Sequence, residues 1–114
     1  MRLISREELK QKLDRGDRFK LVMALGEGAY RAKHIPGSLH CDTPEAALHI
    51  VSPEDEIVVY CSGPDCIASV YAFQFLESRG FTHLYRFAGG LLEWEAAGYP
   101  LEGELVQPEK GGQE

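Results

Sequence analysis

Cysteine is scarce in this chain, with three residues among 114: Cys41, Cys61 and Cys66. An odd and small number does not build a secreted disulfide framework and fits a reducing compartment. The value of these thiols must then lie in packing or in reactivity. Positive charge is also short, with 12 basic against 18 acidic side chains and a net charge of −6. The mean field therefore repels phosphate backbones and anionic lipid, so neither nucleic acid nor membrane is an expected partner. No apolar run approaches the length of a signal h-region or a membrane span. A cytoplasmic location is expected. Internal repeats and low-complexity stretches are missing too, and 114 residues leave room for one core and no second domain. What remains, 44% hydrophobic and 26% charged residues, is the composition of an ordinary folded domain.

The order of elements follows from breakers and periodicity. Leu3-Ile4 predicts a short entry strand. Ser5 followed by Glu8 predicts a capping box for a helix carrying Leu9 and Leu13 and ending near Gly16. Phe19 to Leu25 is a mostly apolar run between breakers, the pattern of a strand buried on both faces, and Gly26-Glu27-Gly28 interrupts it. Pro36-Gly37 marks a turn, Leu39-His40-Cys41 a brief strand, and Thr43-Pro44 the start of a helix through Ile50. Ile57-Val58-Val59-Tyr60 is continuous and largely β-branched, as expected of a central parallel strand. From Cys66 to Ser78 the chain is helical in length and composition, with polar positions confined to Ser69, Gln74, Glu77 and Ser78. His83 to Phe87 predicts a further strand, Gly89-Gly90 a turn, and Leu91 to Ala97 a helix closed by Gly98. Strands alternating with helices give an α/β domain with a mainly parallel sheet over residues 1–103. Residues 104–114, acidic and glycine-rich, are expected to form a flexible tail.

In open α/β sheets ligands bind outside the carboxyl ends of the strands, and the tightest strand-to-helix passage here runs from Tyr60 to Ile67. Cys61 opens it. A thiol there meets the backbone amides of the loop and the positive end of the next helix, which both favour thiolate. Its alternative role is a small buried hydrophobe at a strand end. Cys66 is either packed in the first helical turn or a second thiol facing Cys61. A metal site built from Cys61, Cys66 and His34, His40 or Cys41 is disfavoured, because the spacing is marginal and no second compact pair completes the ligand set. No cofactor is implied. His34, His40, His49 and His83 read as surface or structural histidines, and Trp94 as a core residue three positions from Leu91 and Ala97.

Taken in order, His34-Ile35-Pro36-Gly37-Ser38, then Val58-Val59-Tyr60-Cys61 with a short loop and helix, then Ala88-Gly89-Gly90, Trp94 and Ala97-Gly98-Tyr99-Pro100-Leu101 resemble the single-domain rhodanese-like sulfurtransferases. The resemblance spans roughly residues 3 to 103. It implies a five-stranded, mainly parallel sheet flanked by helices on both faces. It also implies that Cys61 becomes a persulfide inside a loop whose amides, those of Ser62, Gly63, Asp65, Cys66 and Ile67, point at the sulfur; Pro64 has no N–H to give. The catalytic candidates are then Cys61 and Cys66, and the partners a small sulfur donor and a thiol or protein acceptor.

Two departures from the family pattern sharpen the expectation. Cys66 stands where many members carry arginine, and the loop contains Asp65 but no cation. Met23-Ala24-Leu25 replaces the usual Asp-Val-Arg at the end of the second strand. Both changes make the pocket less basic and weaken the case for a dianionic donor such as thiosulfate; the donors expected are thiosulfate or a low-molecular-weight persulfide. They also disfavour oxyanion chemistry of the cysteine-phosphatase or arsenate-reductase kind, which needs a guanidinium clamp. Cys66 introduces a resolving thiol that could attack a Cys61 persulfide or sulfenate and leave a Cys61–Cys66 disulfide. The readings from this sequence are a sulfurtransferase, a Cys61/Cys66 thiol-disulfide redox protein, and a non-catalytic rhodanese-like binding or sensing module.

Overall fold

The computed structural model describes residues 1–106. Helix α1, Arg6–Arg15, starts at Ser5, whose side chain accepts from the Glu8 amide while the Glu8 carboxylate accepts from the Ser5 amide. Gly16 closes it in the left-handed conformation, so the predicted capping box and stop both stand. Strand β1, Lys20–Met23, is the core of the predicted apolar run, and β3, Ile57–Tyr60, is buried at all four positions. Strands β2, Leu39–His40, and β4, Leu84–Phe87, complete a parallel sheet in the order β2-β1-β3-β4.

The sheet has four strands rather than the expected five. Leu3 contributes a single parallel bridge to Arg86, with Ile4 N–H on Arg86 O at 3.0 Å and Arg86 N–H on Arg2 O at 2.8 Å. Ser5 then caps α1, so the chain leaves the sheet edge before a strand can lengthen.

Helices cover both faces. On one, α3 (Pro44–Ala47) and α4 (Ala68–Ser78) pack Ala47, Phe73 and Leu76 against Val22, Ile57 and Val59. On the other, α1 and α5 (Gly90–Ala96) pack Leu9 and Trp94 against Leu21, Met23, Val58, Tyr60 and Phe87. Full burial of one such aliphatic side chain contributes about 1.5–3 kcal/mol, against about 0–1 for a surface ion pair. The sheet's two apolar faces, not the ion pairs around α1, therefore carry the stability.

Three further differences have local causes. Helix α2, Glu27–Ala32, fills the stretch expected to be only a break; it buries no residue and has a glycine cap without a side-chain bond, so it gives no apolar signal. The predicted helix from Thr43 keeps its cap, Thr43 Oγ1 accepting from Ala46 N–H, but ends at Ala47 and tightens into short-range turns to Ile50. The tail is anchored at its start, because the Glu104 and Leu105 amides donate to Arg31 O and Ala32 O at 2.8 and 3.0 Å, satisfying carbonyls at the end of α2. The rest of that expected tail lies outside the described residues. No helix among them is long and apolar enough to cross a membrane.

Candidate active site

Strand register brings the site together. Met23 pairs with Tyr60 and His40, and Tyr60 with Phe87, so the next residues, Cys41, Ala24, Cys61 and Ala88, stand level at the carboxyl edge of the sheet. Side chains alternate along a strand. Cys61 therefore shares the face of Val59, the one covered by α4. Arg86 lies directly opposite Val59 and shares that face too.

The Cys61 residue is 1% exposed. Its sulfur sits 3.3 Å from Ser69 Oγ in the first turn of α4 and 3.4 Å from the Cys66 carbonyl oxygen. Arg86, 9% exposed, donates from Nε to the same Ser69 Oγ at 2.9 Å. With one lone pair of the hydroxyl taken by the guanidinium, its hydrogen is free to point at the sulfur.

The two loop thiols influence each other. Burial pushes the Cys61 thiol above its ordinary value, and the neighbouring Cys66 thiol adds to the rise; the Ser69 hydroxyl and backbone oppose it. Burial also pushes Cys66 up, but the Cys61 thiol, the Ala68 and Ser62 backbones and the Ser62 hydroxyl outweigh it and leave Cys66 lowered. Cys66 is half-buried at the lip of the loop.

Of the five loop amides, one is turned to another acceptor. The Cys66 amide donates to Gly63 O at 3.1 Å, since α4 begins only at Ala68 and residues 63–66 close a tight turn first. Ser62 serves Cys66. The backbone contribution at Cys61 comes from Ser69. The loop is held from outside by α5, where Leu91 N–H donates to Cys61 O at 3.0 Å and Leu92 N–H to Ser62 O at 2.8 Å.

This geometry is the setting for the comparisons with known proteins. The family model described as the rhodanese-like domain matches residues 5–97. The chain belongs to the rhodanese-like family. Among solved structures, the rhodanese-like domain of the Alr3790 protein from Anabaena sp. is 26% identical with a TM-score of 0.82, over 100% of this chain and 89% of that one. The BH2092 protein from Bacillus halodurans is 24% identical with a TM-score of 0.83, over 91% and 78% of the two chains. A thiosulfate sulfurtransferase from Pseudomonas aeruginosa is 23% identical with a TM-score of 0.80 over 90% of this chain, which spans only 20% of that protein. A search of curated proteins returns no match.

Within this rhodanese-like domain the remaining candidates fall away from the loop. Cys41 is buried in the core, its thiol donating to Thr43 O at 2.6 Å. Two strand spacings, about 9–10 Å, separate it from Cys61, beyond disulfide reach. His34 stacks on Tyr30 with ring centroids 4.0 Å apart and bonds Tyr30 O through Nδ1 at 2.7 Å. Trp94 is buried between Phe87 and Tyr99 and donates to Pro100 O at 2.8 Å. Ser69 and Arg86 are the site residues that sequence reasoning missed. Their signals were a polar residue in the otherwise apolar first turns of a helix and a cation inside a short apolar strand.

Proposed function

We infer that this rhodanese-like protein is a sulfurtransferase that holds sulfane sulfur as a persulfide on Cys61 and passes it to a thiol, small or on a protein. The observation that carries the reading is the Cys61 sulfur at the end of the central strand, 3.3 Å from a Ser69 hydroxyl that is itself bonded to the buried Arg86. An anionic sulfur held there meets a hydroxyl already polarised by a buried cation, together with the N-terminal turn of α4. Because residues 61–67 contain Asp65 and no basic side chain, a dianionic donor gains no ion pair at the loop mouth. A low-molecular-weight persulfide is the favoured donor over thiosulfate.

The contact between Cys61 and Cys66 favours a second reading, a thiol-disulfide protein in which one sulfur resolves the other. Steady-state transfer to an acceptor thiol separates the two. Persulfide is expected to support turnover with a kcat/KM at least about tenfold above that for thiosulfate, and loss of both loop thiols to abolish it. Dithiol-dependent disulfide reduction without sulfur turnover would favour the redox reading.

A further inference from the structure

The loop thiols differ in access, and the difference runs against the simplest order of events. Cys61, which holds the sulfur in the function proposed above, is 1% exposed between its own loop and Ser69. Cys66 is half-buried at the lip, two residues before the first residue of the eleven-residue helix α4. Attack on a sulfane sulfur needs a thiolate with open space on the donor's side. Cys66 has that space and Cys61 does not. The direction of the Cys66 shift agrees: burial raises it, but the Cys61 thiol, the Ala68 backbone and Ser62 outweigh burial and favour charge on Cys66.

Resting on the sulfur-carrier reading, we propose that Cys66 is the entry nucleophile and Cys61 the store, so that sulfur enters on Cys66 and moves inward across the loop. In the first step the Cys66 thiolate attacks the outer sulfur of a persulfide R–S–SH. A Cys66–S bond forms, the donor S–S bond breaks, and R–S⁻ leaves with the electron pair and takes a proton from solvent. In the second step Cys61 Sγ attacks the outer sulfur of Cys66–S–SH. The new bond is Cys61–S, the Cys66–S bond breaks, and the Cys61 proton passes to the departing Cys66 sulfur. The products are Cys61–S–SH and Cys66–SH. The sulfane sulfur keeps its oxidation level throughout, so no oxidant or reductant is required.

Inward movement is favoured by what lies beneath Cys61. Arg86 is buried, and among the described residues no carboxylate pairs with it. A buried unpaired guanidinium is costly. A persulfide anion on Cys61, linked to Arg86 through Ser69, supplies the missing counter-charge. Storage there also keeps the sulfur away from stray thiols.

The test is an acid-quenched time course of the pre-reduced protein with cysteine persulfide as donor, read by intact mass and by fragmentation between residues 61 and 66. Wild type is expected to show sulfur first on Cys66 and then on Cys61. Cys61→Ser is expected to gain sulfur at the wild-type initial rate, hold it on Cys66 and lose it to added thiol. Cys66→Ser is expected to load Cys61 more slowly by about tenfold or more. Loading of Cys66→Ser at the wild-type rate, with Cys61→Ser staying empty, overturns the relay while leaving the carrier function intact. Absence of sulfur from wild type and both variants overturns the carrier function itself. A second measurement does not depend on variants: iodoacetamide near neutral pH is expected to label wild-type Cys66 before Cys61, and the reverse order contradicts the proposal.

Discussion

At the scale of the residue, a cation that is remote in sequence reaches the site through a hydroxyl. Arg86 lies 25 positions after Cys61, yet strand register and a single side-chain bond put it one hydroxyl from the sulfur. Ser69 then lowers the cost of charge on Cys61 against the burial that raises it. In a Cys66→Ser background, Ser69→Ala and Arg86→Met are each expected to move the pH midpoint of Cys61 alkylation upward by about one unit, the equivalent of about 1.4 kcal/mol. Arg86→Lys should recover part of the shift. A midpoint that stays put in both variants would mean that the pair serves packing alone. None of this was legible in the sequence, because the face a strand residue takes and the partner it meets depend on register. The loop alone therefore looked free of positive charge, and Cys61 looked like the readier thiolate of the pair.

At the scale of the element, α5 shapes the Cys61 loop as much as α4 does. Gly90 has φ +63° at the start of α5, and a Cβ there would collide with the Cys61 carbonyl oxygen and stand 2.8 Å from Gly63 N. The Gly89-Gly90 pair, read from sequence as a turn, is thus also a close backbone approach. Gly90→Ala is expected to cost about 1–3 kcal/mol of strain and to displace the Cys61–Gly63 backbone. Sulfur transfer should fall further than the thermal midpoint does, and a wild-type transfer rate would contradict this account. Capped or apolar elements, α1 and β3 above all, were legible because their signals are local. Helix α2 was not, since Gly26 and Gly28 flank its start and its support comes from residues 104 and 105.

At the scale of the whole molecule, buried acidic groups define how stability responds to pH. Burial raises Cys41 and Cys61, and raises Tyr60 to about 12 while its hydroxyl accepts from Ile35 N–H at 3.0 Å and donates to Ser38 Oγ at 2.9 Å. Groups whose pKa is higher in the folded state favour folding while they stay protonated. Their contribution is full below the unfolded thiol value, about 8.5, and is lost as pH climbs through the folded values. Denaturant midpoints are therefore expected to fall steadily above about pH 8.5, and a flat profile to pH 10.5 would contradict the burial of these groups. At the acid end the sign reverses. Asp55, lowered chiefly by the Ser52 backbone amide, favours folding above its unfolded value and loses that contribution as pH falls.

The whole molecule also unites the separate signals: a rhodanese-like fold over residues 5–97, a central strand ending in a thiol, and a second thiol at the lip of the same loop. The most direct measurement is the intact mass of the pre-reduced protein after exposure to cysteine persulfide and removal of the donor. The account predicts a gain of one sulfur, about 32 Da, located on Cys61 in wild type and released when an acceptor thiol is added. An unchanged mass, or a loss of about 2 Da from a Cys61–Cys66 disulfide with no sulfur gained, would contradict it.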